Sequence, residues 1–227
     1  MRKILPILIF FFFSTSSGHA QISKGKQGAW YIFIWNVNTE KSKLGFKGDI
    51  QYRNWNLLGD LEQLIIRGGI TYPLKNSNLY FAYGNITSGK LGISKQTSHE
   101  DRLHQEITFV GKKDELVKFK HRIRFEERFF EKDVFRTRFR YLLSINKFFK
   151  PKKDKPRKMY LSFYDEILLN TSDSRGSGFT FFDTNRLYSA FGFILPKKKR
   201  LQLGYMLLNS KTVIRGQWQI SFINPFL

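Results

Sequence analysis

Residues 121–143 read HRIRFEERFFEKDVFRTRFRYLL, and in steps of two they separate into a charged set and an apolar set. Before a short turn, Arg122, Arg124, Glu126 and Arg128 alternate with Ile123, Phe125 and Phe129; after it, Arg136, Arg138 and Arg140 alternate with Phe135, Phe139 and Tyr141. Successive side chains of a β-strand point to opposite faces of the sheet. The stretch therefore predicts two neighbouring strands with aromatic side chains on one face and arginines on the other.

The same alternation recurs along the chain at the spacing of an antiparallel meander. We expect strands near residues 30–37, 43–54, 61–72, 78–87, 99–110, 159–167, 187–193, 201–207 and 217–222, and the two arginine strands beginning near Leu116 and Val134. No amphipathic period of 3.6 residues persists for three turns, so no helix is expected to cover one face of the sheet. A sheet of this size must close on itself or pack against a second sheet.

These segments number eleven, whereas bacterial single-chain barrels have even strand numbers. We therefore predict an all-β, antiparallel up-and-down transmembrane β-barrel of about twelve strands, with ten as the alternative. The connections at 73–77, 111–114 and 196–199 are predicted to be short, and those at 85–98 and 170–182 to be longer loops. Short turns on one side and longer loops on the other are typical of outer-membrane barrels.

Residues 1–20 have the layout of a secretory signal peptide. A basic start, Met1-Arg2-Lys3, precedes an apolar run over residues 4–13, and the segment ends in Gly18-His19-Ala20. Small residues before a cut near Ala20 are typical of a cleaved signal, and the apolar run is too short to span a bilayer as a helix. We expect residues 21–227 to form one outer-membrane β-barrel domain in the envelope of a Gram-negative cell.

The composition excludes several classes of protein. The chain has no cysteine, so it is not a disulfide scaffold. Aromatic residues make up 17% of it, which argues against intrinsic disorder. Its formal net charge of +21 raises the possibility of nucleic-acid binding, but the aromatic side chains lie opposite the arginines and cannot form one stacking platform with them. We expect no nucleic-acid partner.

The arginines are predicted to line the inside of the barrel. The cationic set comprises Arg102, Arg122, Arg124, Arg128, Arg136, Arg138, Arg140 and Arg186, and the acidic set comprises Glu100, Glu106, Glu126 and Glu166. Cross-strand ion pairs between the two sets would stabilise a narrow interior. Alternatively, guanidinium groups left over from such pairs would attract anionic solutes, because guanidinium pairs bidentately with carboxylate or phosphate.

Catalysis has weaker support in the sequence. The chain beyond residue 20 has three histidines, His99, His104 and His121, and none lies in a recognisable nucleophile setting; no G-x-S-x-G motif is present. No cluster of His, Cys or carboxylate residues has metal-ligand spacing. We predict no cofactor and no metal.

Eight segments, in order, carry a resemblance to a known family. They are GDIQYRNW, QLIIRGGITYPL, HEDRLHQEITF, HRIRFEERF, FRTRFRYLL, LSFYDEILLN, DTNRLYSAFGF and LQLGYMLL. Together they resemble domain-of-unknown-function family 2490, exported proteins chiefly of Bacteroidetes and some proteobacteria. The resemblance implies an outer-membrane β-barrel with no established activity and supplies no catalytic residues. The C-terminus departs from the usual aromatic last residue of such barrels, because Leu227 follows Phe226.

The sequence thus favours a small passive pore or binding barrel whose arginine-rich lumen prefers anionic solutes. A plugged barrel with a structural or envelope-assembly role is an alternative, and so is a lipid-modifying outer-membrane enzyme that uses His104 or His121. A soluble periplasmic sandwich is a further alternative. The expected partners are outer-membrane lipid and lipopolysaccharide, the barrel assembly machinery and anionic small solutes.

Overall fold

Strands make up nearly all of the regular structure. The computed structural model describes residues 21–22, 27–38, 43–150, 158–173 and 179–226; the predicted signal peptide at residues 1–20 lies outside them. The strands are β1 Gln21–Ile22, β2 Gly28–Asn38, β3 Gly45–Asn54, β4 Leu61–Pro73, β5 Ser77–Lys90, β6 Ile93–Lys112, β7 Val117–Phe130, β8 Val134–Phe148, β9 Met159–Asp173, β10 Phe182–Ile194, β11 Arg200–Ser210 and β12 Val213–Phe226. A 3-10 turn, Pro196–Lys198, joins β10 to β11. Within these ranges no helix has the length and apolar character needed to cross a membrane.

Each strand from β2 to β11 pairs antiparallel with the next one in the chain. The last strand, β12, also pairs with β2, in parallel, from Gln217↔Gly28 to Phe226↔Val37. This pairing closes the sheet into a barrel. The predicted all-β class and the predominantly antiparallel meander are therefore confirmed.

Eleven strands close the barrel, and the predicted numbers of twelve and ten differ from this. The two-residue β1 brings the sheet to twelve strands, but it pairs with Val213 and Ile214 on the β12 edge that pairs with β2 further along. The parity argument assumed that every pair is antiparallel. In a meander with an odd number of strands, the first and last strands run in the same direction, and a parallel pair closes the ring here.

The connections do not alternate in length as predicted. The segment 85–98, expected to be a loop, belongs mostly to β5 and β6, and only Leu91 and Gly92 lie between the two strands. Gly92 has a φ of +73°, a left-handed conformation that glycine adopts without steric cost. Alternation failed to predict the strand ends at residues 88–90 and 93–98 because these stretches, SGK and ISKQTS, carry no apolar alternation.

The two faces of the sheet differ in polarity. A soluble barrel has a mostly apolar interior and a polar outer surface, and this barrel has the reverse. Many outward side chains are apolar and exposed; Phe81 and Phe191 are each 55% exposed. Many inward side chains are charged or amide groups; Glu126 is 0% exposed and Arg102 is 4% exposed. The alternation therefore places the apolar set outside and the polar set inside.

The two arginine strands of the opening stretch, β7 and β8, are neighbours. Their register pairs Arg124 with Arg140, Glu126 with Arg138 and Arg128 with Arg136. Residues of β7 and β8 thus meet inside the barrel, where β6 and β9 supply further carboxylates.

Candidate functional site in the barrel interior

Glu126 is the most enclosed carboxylate of the interior. Arg138 donates to its Oε2 from Nε at 2.9 Å and from Nη2 at 2.7 Å, and Arg140 Nη1 donates to Oε1 at 2.7 Å. The Nη1 atoms of Arg102 and Arg124 lie 3.6 Å from the same Oε1. One buried carboxylate is therefore surrounded by four guanidinium groups from three strands.

Glu166, on β9, forms the second centre of the network. Arg140 donates to its Oε1 at 2.9 Å and 2.6 Å, and Arg122 Nη2 donates to the same oxygen at 2.5 Å. Arg186 Nη1 lies 3.4 Å from Oε2. Because Arg140 contacts both Glu126 and Glu166, it joins the two centres into one network.

Glu106 and Glu100, both on β6, accept the other arginine contacts of the network. Arg124 Nε donates to Glu106 at 2.9 Å, and Arg122 Nε lies 3.8 Å from Glu106. Glu100 accepts hydrogen bonds from Arg102 Nε at 2.7 Å and from Arg128 Nε at 2.8 Å. Carboxylate oxygens that accept from guanidinium groups make strong, charge-assisted hydrogen bonds.

Seven of the eight arginines predicted to line the interior contact at least one of the four predicted glutamates, and Arg136 does not. Its Nε lies 3.1 Å from Asp173 Oδ2, close to the end of the barrel. Its guanidinium also lies 4.8 Å from the centroid of the Phe130 ring, with Arg128 at 4.7 Å from the same centroid. Arg136 therefore belongs to a separate contact near one end of the barrel.

Sequence reasoning missed several interior ion pairs. Arg67 pairs with Asp49 at 2.8 Å, Lys47 pairs with Glu106 at 3.2 Å, and Arg138 also pairs with Asp183 at 2.8 Å. Arg215 pairs with Glu62 across 153 residues of chain. Lys47, Asp49, Arg67 and Arg215 lie on the polar face by alternation, which was the only signal for them. Glu62 and Asp183 lie at register irregularities, which alternation does not predict.

Arg53 differs from the other interior arginines because it pairs with no carboxylate among the described residues. It is 7% exposed and donates to the amide oxygens of Gln51, at 3.1 Å and 2.5 Å, and Gln63, at 2.8 Å. Its guanidinium lies 3.7 Å from the centroid of the Trp30 ring, and that of Arg186 lies 5.4 Å from it. The indole ring thus takes the place of an acidic partner, through cation–π contact.

Besides these two guanidinium groups, Trp30 contacts an apolar part of the interior. Trp30, Tyr188, Ala190, Met206 and Leu208 form one buried cluster. A continuous apolar run on β2 gave no alternation to read, so sequence reasoning did not identify Trp30 as an interior residue. The interior therefore combines a charged network with an aromatic cluster on β2, β10 and β11.

Cations outnumber carboxylates inside the barrel. The inward arginines are Arg53, Arg67, Arg102, Arg122, Arg124, Arg128, Arg136, Arg138, Arg140, Arg186 and Arg215. The carboxylates that contact them are Asp49, Glu62, Glu100, Glu106, Glu126, Glu166, Asp173 and Asp183. Among the described residues, eleven guanidinium groups thus face eight carboxylates, a surplus that Lys47 increases.

The three described histidines do not form a recognisable catalytic centre. His104 is 1% exposed inside the barrel, packs edge-on against Tyr80 at 5.2 Å, and makes no hydrogen bond from either ring nitrogen to a described residue. On the outer face, Nδ1 of His121 lies 2.8 Å from the Tyr141 hydroxyl, and Nδ1 of His99 lies 3.3 Å from Thr87 Oγ1. Across the part of the chain that the structure describes, no group of three or more His, Cys, Asp or Glu residues is arranged to hold a metal ion.

Comparison with known proteins gives one match. No curated protein and no solved structure matches the chain. A family model described as "Protein of unknown function (DUF2490)" matches residues 27–219, which extend from the first residue before β2 into β12. This match covers most of the closed sheet and all four glutamates of the interior network. The chain therefore belongs to the DUF2490 family of proteins of unknown function.

Proposed function

We propose that this chain is an integral outer-membrane β-barrel of a Gram-negative cell, closed inside by its ion-pair network, with a structural or envelope-assembly role. The observation that carries the proposal is the inaccessibility of the interior charged residues. Glu126 is 0% exposed, Glu166 2%, and Arg124 4%. Charged groups that lined a water-filled channel would be accessible to solvent, whereas these are enclosed by one another.

The outer surface supports insertion into a membrane. On β4 the outward positions from Leu64 to Tyr72 are Leu64, Ile66, Gly68, Ile70 and Tyr72. That stretch has nine residues, and a tilted transmembrane strand needs about 9–11. In water so many exposed apolar side chains would promote association between molecules.

The energetics of the network also favour a closed interior. A buried charge is tolerated when it is paired and hydrogen-bonded, and removal of one partner is strongly destabilising. Arg140 bridges Glu126 and Glu166, so a passage between them would require breaking contacts of 2.7 Å and 2.6 Å. A plugged barrel fits these contacts better than an open pore does.

An anion-preferring pore or binding barrel is the second candidate, because one specific observation favours it. Cationic groups outnumber carboxylates in the interior, and Arg53 has no acidic partner among the described residues. A rearrangement that separated the network would expose arginines that attract anionic solutes.

Reconstitution of the refolded chain decides between these candidates. The migration of unheated and heated samples in gel electrophoresis reports whether the barrel has folded, and a planar bilayer with a salt gradient reports conductance. We expect a heat-modifiable barrel that requires detergent or lipid and gives no conductance steps. Stable anion-selective steps that Arg138→Ser reduces would instead establish the pore. A folded protein that stays monomeric in buffer without detergent would overturn membrane insertion.

A further inference from the structure

The two ends of the barrel differ strongly in charge. The C-terminal end is defined here by the end of β12 and the connections that follow β2, β4, β6, β8 and β10; the N-terminal end holds the start of β2 and the other connections. The charges given below are those of the described residues in these connections, together with the two terminal residues of each strand at that end of the barrel. The C-terminal end then has twelve cationic and two acidic side chains, a net charge of +10. The N-terminal end has four cationic and six acidic side chains, a net charge of −2.

The cations of the C-terminal end are almost all lysines. This group, called the lysine rim below, comprises Lys43, Lys75, Lys112, Lys113, Lys118, Lys147, Lys150, Lys158, Lys197, Lys198, Lys199 and Arg200. The acids at that end are Asp114 and Glu115. Ten of the eleven lysines are exposed and Lys199 is half-buried. Arginine therefore dominates the interior, and lysine dominates this rim.

The backbone conformation of the turn between β10 and β11 does not explain why lysines occupy it. Lys197 and Lys198 have φ values of 55° and 58°, a left-handed conformation that residues with a side chain adopt rarely. Glycine or asparagine would suit these positions better. The turn nevertheless has three consecutive lysines, at 197–199, and the side chains of the first two are exposed.

The lysine rim adjoins the apolar outer surface. On β8, Lys147 has the same outward orientation as Ile145 two residues earlier, and it is exposed. On the hypothesis that the apolar surface lies in the hydrocarbon layer, an ammonium group at this position reaches the level of the lipid head groups. Lysine suits this place because its compact charge pairs with phosphate without a fixed geometry, and basic groups at a membrane surface are attracted to anionic lipid.

We propose that the lysine rim binds the phosphate groups of anionic lipids in the leaflet that surrounds the C-terminal end of the barrel. The inference rests on the membrane insertion proposed above. A rim that served only as a solvated cap would not explain the difference between the ends, since both ends would face water. The near-neutral N-terminal end would have no such preference, so the barrel would select anionic lipid at one end only.

Two triple variants with equal net charge test the proposal. The rim variant is Lys197→Gln, Lys198→Gln, Lys199→Gln, and the control is Lys90→Gln, Lys132→Gln, Lys211→Gln at the N-terminal end, where all three lysines are exposed. Each protein is reconstituted into phosphatidylcholine vesicles. Spin-labelled phosphatidylglycerol and phosphatidylcholine are then compared for their association with the first lipid shell, by electron paramagnetic resonance.

We expect the unmodified chain and the control variant to prefer phosphatidylglycerol several-fold, and the rim variant to lose much of this preference. The preference should also disappear near 1 M salt, where the Debye length is about 3 Å. Equal losses in both triple variants, or no preference in the unmodified chain, would overturn the proposal. Failure of all three proteins to insert would instead count against the membrane barrel itself, and heat-modifiable migration identifies that case.

A soluble polyanion is the competing kind of partner. Titration of the detergent-solubilised barrel with inorganic polyphosphate tests it. Binding that depends on Lys197–Lys199, combined with no lipid preference in vesicles, would assign the rim to a soluble polyanion and overturn the lipid proposal. Absence of polyphosphate binding, combined with the expected lipid preference, would support the lipid assignment.

Discussion

Glu126 is the residue on which the interior network depends most. Two arginines hydrogen-bond to its carboxylate and two more lie 3.6 Å away. Replacement by glutamine keeps the size and removes the charge, so four buried guanidinium groups lose their shared counter-ion. We expect Glu126→Gln to lower the free energy of unfolding by about 3–5 kcal/mol, the usual cost of breaking a buried ion pair. Urea titration of the barrel folded in detergent micelles measures it.

The neighbouring residue supplies the matched control for this variant. Glu127 is on the same strand but on the outer face, where the register places it opposite Leu103 and Thr137. The change Glu127→Gln removes the same charge without touching the interior. We expect it to change the unfolding midpoint little. If the two variants were equally destabilised, net charge and not the interior network would be the cause.

At the residue scale, the sequence places side chains on a face but does not assign their partners. Alternation puts Arg136, Arg138 and Arg140 on the same face of β8. Their partners depend on the register with β9, which shifts at an irregularity between Thr137 and Arg138. A local shift of this kind, of which a β-bulge is one form, depends on tertiary contacts. This is why Asp173 was not foreseen as the carboxylate beside Arg136.

At the scale of single strands, β4 contains two adjacent glycines with different surroundings. A Cβ on Gly69 would lie 2.0 Å from the Phe81 carbonyl oxygen and 2.6 Å from Ala82 Cα, both on β5, whereas a Cβ on Gly68 would meet nothing within 4 Å. We expect Gly69→Ala to destabilise the barrel by about 1–3 kcal/mol, as overpacking does, because β4 and β5 must separate locally. The urea midpoint in micelles measures the loss.

Gly68→Ala is the control for Gly69→Ala, since it adds the same methyl group one residue away on the outer face. It should leave the midpoint nearly unchanged. A loss in both variants would point to the conformational freedom of glycine, and no loss in either would show that β5 yields to the methyl group at no cost.

Strand existence was predictable from the sequence, but strand length was less so. All eleven segments expected from alternation correspond to strands β2–β12. The end of β5 at residues 88–90 and the start of β6 at residues 93–98 were missed because polar and small residues there replace the apolar half of the alternation. Apolar alternation marks only the part of a strand that has an apolar environment on one side, so pairing beyond that part leaves no periodic signal.

For the whole molecule, the number of strands follows from how the first and last strands meet. Alternation counted eleven strands, and the even-number rule for bacterial barrels then shifted the prediction to twelve. The rule rests on antiparallel closure, whereas β12 and β2 pair in parallel over ten residue pairs. The sequence has no local signal for this pairing, because it joins strands that lie at opposite ends of the chain.

A disulfide cross-link tests the closure directly, since the chain has no cysteine of its own. Phe33 on β2 pairs with Phe222 on β12, and their rings stack on the outer face with centroids 5.9 Å apart. We expect Phe33→Cys with Phe222→Cys to form an intrachain disulfide under mild oxidation, because paired strands bring Cα atoms within the roughly 4.4–6.8 Å that the bond requires. The gel mobility of the folded barrel with and without reductant measures the yield.

The residue that pairs with Phe222 across the other edge of β12 provides the control. Leu201, on β11, pairs with Phe222 and so lies two strands from Phe33, at roughly 10 Å. Phe33→Cys with Leu201→Cys should therefore stay reduced. A disulfide between positions 33 and 201 would indicate that β12 does not separate β2 from β11, as in a ten-stranded ring. Absence of both cross-links would indicate a further strand between β12 and β2, as in a ring of twelve. Only the cross-link between positions 33 and 222 is consistent with eleven strands closed by a parallel pair.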